Sequence, residues 1–259
     1  MRAVLAAELL VLRRRPVGRG MIACCSALPV LAALAYGQLS SSTMTFNDRR
    51  LADVLAFSGP DAAQVALRVF HVVMPLFILA LAGQSWAGER SGHILREQWV
   101  RPVPRAHVYW AKTLSLWMMA SVPLLMSTTA VLLVATPWLG ASGPWLDLSL
   151  SVVLSLVTLL GLTVLSTFVA QWVRSTAAVI VVGMIGLGID LGLRLGLSGL
   201  AFIEVSGAAE LHAMMLGTAL GIWSEPAGAL RWTHAAALLA WLTPMVLVAL
   251  RRVQTQDVT

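Results

Sequence analysis

Residues 88–108 concentrate positive charge in one short connection between two long apolar runs. They read GERSGHILREQWVRPVPRAHV and contain four arginines and two histidines. Glu89 precedes Gly92, Ile94 follows, and the stretch ends in a Pro-x-Pro-Arg turn at Pro102–Arg105. A short helix followed by such a turn would present a defined surface, because prolines reduce the flexibility of the chain. We therefore predict that this stretch acts through non-covalent contacts made by its surface.

Two further pairs of ionisable residues lie near the ends of predicted membrane spans. Asp190 and Arg194 are four residues apart and share one helix face. Because a charge inside the bilayer is costly, we interpret them as a mutually neutralising pair, with a role in a transport path or gate as the alternative. Arg68 and His71 lie one helical turn apart. Snorkelling to the outer headgroups is favoured for them over contact with an acidic substrate group or with residues 195–231.

The sequence predicts no catalytic or metal site. Glu204, Glu210 and His212 lack the further nearby His or Cys that a metal site would need. Cys24 and Cys25 are adjacent and cannot readily form an ordinary disulfide with each other. The predicted spans contain no Gly-x-Ser-Gly, no His-Glu-x-x-His and no paired glutamates. We therefore expect no enzyme activity and no cofactor bound by this chain.

Composition places these residues in a membrane protein. The chain has 259 residues, of which 12% are charged, and a mean hydropathy of +0.82. Soluble domains carry about 25% charged residues. A net charge of +6 and a pI near 10.6 do not indicate nucleic-acid binding, because the basic residues flank apolar spans and form no aromatic-interleaved basic face. They are interpreted as a topology signal.

The apolar blocks predict an all-α polytopic protein with six transmembrane helices. An N-terminal interfacial helix is predicted over residues 2–15, a Pro/Gly/Trp turn over 135–147, and a re-entrant or surface-lying interrupted segment over 195–231. Ala33-Leu34-Ala35 mimics a signal-peptide cleavage site, but the long helical basic region before it and the later spans favour a retained span. The predicted spans are residues 20–39, 64–86, 108–134, 148–173, 176–193 and 232–250.

The distribution of basic residues predicts the orientation. Six spans put both termini on one side of the membrane, together with residues 88–108. That side holds thirteen of the 18 Lys and Arg residues: Arg2, Arg13, Arg14, Arg15, Arg19, Arg90, Arg96, Arg101, Arg105, Lys112, Arg174, Arg251 and Arg252. Because cytoplasmic loops carry the excess of Lys and Arg, both termini are expected in the cytoplasm of a bacterial inner-membrane protein.

The stretch after the second span resembles the permease subunits of type-2 ABC exporters. In that family a glutamate, a Gly-Thr-Leu-like tripeptide, a Pro-Val-Ser-Arg-like turn and a lysine entering the third span follow one another. This chain has Glu89, Gly92-His93-Ile94, Pro102-Val103-Pro104-Arg105 and Lys112 in that order. The N-terminal Glu8-Leu9 followed by Arg13-Arg14-Arg15 is also similar to the family. The topological resemblance covers the whole chain, and the sharp motifs cover residues 8–15 and 89–112.

The resemblance implies that residues 87–107 form a cytoplasmic coupling loop that docks onto a separate ATPase subunit. The chain itself has no P-loop, since its only lysine follows no glycine loop. ATP and Mg²⁺ would therefore be bound by the partner. The implied partners are an ABC ATPase, a second copy or a sister permease, and membrane lipids. The implied contact residues are Glu89, Arg90, Gly92, Ile94, Arg96, Pro102 and Arg105.

The expected function is export of a lipid, drug, peptide or maturation factor across the inner membrane. Three other functions stay open on sequence alone: a non-transporting membrane anchor, an intramembrane enzyme and a secondary transporter. The last would usually show inverted repeats and more buried ionisable residues, and the two halves of this chain share no clear pattern.

Overall fold

Seven helices account for most of the chain that the structure describes. A computed structural model describes residues 2–40, 45–46, 49–50, 58–91, 104–203, 208, 211–212 and 232–255. The helices are α1 (Arg2–Arg14), α2 (Pro16–Ser40), α3 (Gly59–Gly83), α4 (Arg105–Leu139), α5 (Trp145–Trp172), α6 (Thr176–Phe202) and α7 (Trp232–Thr255). After α3 the chain continues through a π-helical segment, Gln84–Gly88, and a single α-helical turn, Glu89–Ser91. Strands β1 (Thr45–Phe46) and β2 (Arg49–Arg50) pair antiparallel.

Six of these helices are long and apolar enough to cross a membrane, which confirms the predicted fold class. α3 is the most buried of the six and packs against α2, α4, α5 and α6, so it forms the centre of the bundle. α6 is the least buried. The spans alternate in direction. At one end of the bundle α3, α5 and α7 finish and α2, α4 and α6 begin, and we call this the basal end. The opposite end is the apical end.

Local sequence signals explain where the helices begin. Pro16 starts α2 with a single residue between it and the end of α1, at a position where its missing N–H costs little. Ser58 caps α3 through a reciprocal capping box: its hydroxyl accepts from the Asp61 amide at 3.4 Å, and the Asp61 carboxylate accepts from the Ser58 amide at 3.0 Å. This cap moves the start of the second span five residues before the predicted position.

The other predicted bounds differ mostly at the ends of spans. α4 continues through Pro137 to Leu139, so the predicted turn over 135–147 is wrong over its first five residues. The turn comes at Gly140, whose φ of +87° suits glycine because it has no Cβ. α6 runs nine residues past its predicted end, to Phe202. The start of segment 195–231 is therefore regular helix, while most of its remainder lies outside the described residues.

Candidate functional site

A buried cluster of four charged side chains lies at the basal end of the bundle. The Lys112 ammonium lies 2.6 Å from a Glu89 carboxylate oxygen and 3.0 Å from a Glu8 oxygen. The Arg15 guanidinium donates to the other Glu89 oxygen at 2.6 Å. The Lys112 side chain is fully buried, at 0% exposure. The negative charges of two carboxylates balance the positive charges of two cations, as expected because buried charges are normally paired. We call these four residues the ion-pair cluster.

Each member of the ion-pair cluster comes from a different part of the chain. Glu8 lies on the buried face of α1, one turn before the buried Leu12. Arg15 is the single residue between α1 and α2, and Glu89 follows the π-helical segment. Lys112 lies two turns into α4. The cluster therefore ties α1, the end of the second span and α4 together by charge-assisted hydrogen bonds, which are stronger than neutral ones.

Two buried aromatic side chains lie beside the cluster. Trp86 is fully buried in the π-helical segment, and the Lys112 ammonium lies 5.8 Å from its ring centroid. At that distance the ring face attracts the cation. The Tyr109 ring centroid lies 6.1 Å from that of Trp86. π-Helical segments occur frequently at functional sites, and here the segment immediately precedes Glu89.

Two more arginines bond to the last turns of other spans. Arg90 donates to the Gln171 carbonyl oxygen at 3.0 Å, near the end of α5. Arg105 donates to the Gln254 carbonyl oxygen at 2.9 Å, near the end of α7. Cations are favoured there, because the last carbonyls of a helix have no intrahelical partner and carry the negative end of its dipole. Burial lowers the pKa of the Arg90 guanidinium, and the charges of Arg252 and Arg174 lower it further.

These contacts link both sides of residues 92–103 to other helices at the basal end. Glu89 and Arg90 on one side of residues 92–103, and Arg105 on the other, are each bonded to another element. Within the described ranges, no group of three His, Cys, Asp or Glu side chains is arranged to hold a metal. The arrangement can hold helices in register and transmit a displacement between them.

A family model described as ABC-2 family transporter protein matches residues 4–190, well over half of the chain. The chain belongs to the ABC-2 transporter family. Among curated proteins, no sequence matches it significantly. All four residues of the ion-pair cluster lie inside the matched range. An ABC-2 family member is an integral, multi-pass membrane subunit that generally is not the ATPase, and membership implies an ABC ATPase partner in general terms.

The predicted ATPase-contact residues of this ABC-2 family chain divide into two groups. Gly92, Ile94, Arg96 and Pro102 lie outside the described residues. Glu89, Arg90 and Arg105 are described, and all three bond to groups of this same chain. The Glu89 side chain is only 5% exposed. Contact between any of these residues and a partner stays a prediction.

The four predicted pathway residues lie in three environments. Asp190 and Arg194 meet as the i,i+4 spacing predicts, with the guanidinium 2.9 Å from the carboxylate. His71 is buried, and its Nε2 lies 2.9 Å from the Ser155 hydroxyl of α5. Arg68 is exposed on the third turn of α3. Since α3 begins at Gly59, Arg68 and His71 lie deeper in the second span than the sequence predicted. A gate role for any of the four stays a prediction.

Sequence reasoning did not include Glu8, Arg15, Lys112 or Trp86 among the site residues. Two signals in the sequence pointed to Glu8 and Lys112. Glu8 is the only acidic residue in an otherwise apolar and basic helix, and Lys112 is the only lysine in a chain whose other basic groups are arginines. The sequence does not give the distance between Glu8 and Lys112, because they are about a hundred residues apart and meet only through helix packing.

Proposed function

We propose that this chain is the permease subunit of an ATP-binding-cassette exporter. It moves substrate across the bacterial inner membrane with energy from ATP and Mg²⁺ bound by a separate subunit. The supporting observation is that both ends of residues 92–103 are anchored by hydrogen bonds and ion pairs to the α1–α2 junction, α4, α5 and α7. A partner that displaces this segment would move several spans at once.

In this proposal Glu89, Arg90 and Arg105 are positioning residues, and the contact surface for the ATPase lies between them. Short, charge-assisted bonds resist a change of length more than exposed, flexible pairs do. The Glu89 carboxylate is held from two sides, by Arg15 and Lys112. Displacement of the segment would therefore pass into α4 and α1 rather than be absorbed by side-chain motion.

The assembly we propose is a dimer of this chain or a pair with a sister permease, with two ATPase subunits on the cytoplasmic side. Residues 195–231 would close the cavity between the two permeases on the outer side. The Asp190–Arg194 pair, with Arg68 and His71, would line or gate the path. A mostly apolar cavity would suit lipids or amphipathic drugs, with peptides and maturation factors as other candidates.

The test is a coupling measurement on the complex of this chain with its co-purifying ATPase, reconstituted in proteoliposomes. Arg105→Ala removes the bond to the last turn of α7, and Glu89→Gln removes one charge from the ion-pair cluster. We expect substrate transport to fall roughly tenfold while ATP hydrolysis stays within about twofold, because coupling free energies between sites are typically 1–3 kcal/mol. Arg251→Ala is the matched control, since Arg251 is an exposed arginine on the last turns of α7.

Three results would contradict the proposal. Unchanged transport in both variants would show that these anchors carry no coupling. Transport by the chain alone would favour a secondary transporter. Activity of the lone chain on a membrane substrate, with no ATPase co-purifying, would favour an intramembrane enzyme.

A further inference from the structure

An open cleft lies between α1 and α2, on the side of α1 away from the ion-pair cluster. Its volume is about 550 Å³, within the range of roughly 300–1,000 Å³ typical of small-molecule sites. The lining combines apolar and cationic side chains: Leu10, Arg13, Arg14, Arg19, Ile22 and Ala23. Such a mixed lining suits an amphiphile that carries negative charge.

The charge in this cleft is not neutralised by the described part of the chain. Arg13, Arg14 and Arg19 are all exposed, and no described carboxylate pairs with them. The adjacent Arg15 behaves differently, because its guanidinium binds Glu89. The triple-arginine run therefore divides, with Arg15 in the ion-pair cluster and its two neighbours at the cleft.

The position of the cleft favours a lipid over a soluble anion. α1 has 13 residues and is about 20 Å long, too short to cross a hydrocarbon core of about 30 Å. It joins the first span directly, so the cleft lies where a short amphipathic helix meets a membrane-crossing one. Basic pockets of this kind bind anionic headgroups, while an apolar wall, here Ile22 and Ala23, can accept the first part of an acyl chain.

We propose that the cleft between α1 and α2 binds an anionic phospholipid, with its phosphate on Arg13, Arg14 and Arg19. The bound lipid restrains α1, and because α1 also carries Glu8, it stabilises the geometry of the ion-pair cluster. This site does not depend on the transport proposal, since it needs only the full chain in a membrane or detergent micelle.

The test is lipid binding to the purified, delipidated full chain, measured by native mass spectrometry and by the shift of its thermal unfolding midpoint. Phosphatidylglycerol should bind at least about tenfold more tightly than phosphatidylcholine, since each arginine near an anionic lipid contributes appreciably to affinity. The triple variant Arg13→Gln, Arg14→Gln, Arg19→Gln should lose that preference while its phosphatidylcholine binding stays unchanged.

The matched control is Arg2→Gln, Arg174→Gln, Arg251→Gln, which removes the same charge from exposed arginines that do not line the cleft. It should keep the preference for phosphatidylglycerol. The proposal is overturned if both triple variants bind phosphatidylglycerol equally well, or if the native chain does not distinguish the two lipids. Protection by inorganic phosphate alone, as strong as that by the lipid, would also overturn it, because the apolar wall would then contribute nothing.

Discussion

Lys112 holds the ion-pair cluster together, because its ammonium bonds to both Glu8 and Glu89. A fully buried lysine is rare, and its charge is tolerated here only because two carboxylates surround it. The balance of charge makes the members of the cluster unequal in importance. Loss of Lys112 leaves two buried carboxylates with one cation, Arg15, whereas loss of Glu8 leaves Lys112 still paired with Glu89.

At this scale we predict that Lys112→Met destabilises the folded chain by about 3–5 kcal/mol, the usual cost of breaking a buried ion pair on one side. The measurement is thermal or denaturant unfolding in detergent. Adding Glu8→Gln to Lys112→Met should recover part of the loss, because one uncompensated carboxylate is then neutral. A Lys112→Met chain as stable as the native one would show that the cluster is not closed in solution.

At the scale of the elements, the junction of α1 and α2 is closely packed. A Cβ at Gly18 would overlap the Leu12 carbonyl oxygen and lie 3.2 Å from its carbon, whereas one at Gly20 meets nothing within 4 Å. The absence of a side chain at Gly18 lets the last turn of α1 approach α2 closely. That approach sets the angle of α1 and brings Glu8 to Lys112.

We predict that Gly18→Ala forces α1 away from α2, because the clash is with backbone that cannot rotate aside. Amide hydrogen exchange over residues 2–14 should become faster, and thermal stability should fall. Gly20→Ala is the control on the same helix; it should leave exchange in α1 unchanged or slow it slightly, since alanine favours helix over glycine by about 1 kcal/mol. Equal exchange in the two variants would refute the role of Gly18.

For the molecule as a whole, the six spans alternate between the basal and apical ends, and the described arginines are concentrated at the basal one. Arg13–Arg15, Arg90, Arg105 and Arg252 all lie there. At the apical end, the Gly59 amide donates to the Gly140 carbonyl oxygen at 3.2 Å. The positive-inside rule predicts that the basal end faces the cytoplasm.

That orientation predicts a labelling pattern in whole cells. With Cys24 and Cys25 replaced, a cysteine at Ser142, near the apical end, should react with a membrane-impermeant maleimide. A cysteine at Ser175, at the basal end, should react only after permeabilisation. Both serines are exposed, so a difference reports sidedness rather than burial. The reversed pattern would place residues 92–103 outside the cell and remove the basis of the coupling proposal.

Sequence alone determined the class of this protein, because span length and charge bias depend on composition along the chain and not on contacts. Blocks of about 20 apolar residues fix six helices whatever their packing. The positions of the helix ends followed less directly from the sequence. The Ser58 capping box moved one start, and Pro137 did not end α4, since a membrane helix tolerates proline where neighbours satisfy the freed groups.

Only the tertiary structure decided which charged residues meet. Glu89 is part of a predicted contact surface in the sequence, but in the folded chain it is buried between Arg15 and Lys112. The i,i+4 pair Asp190–Arg194 was predictable, because its geometry is set within one helix. The ion-pair cluster was not, because its geometry depends on how three distant helices pack, and the low-dielectric interior makes that pairing obligatory once they do.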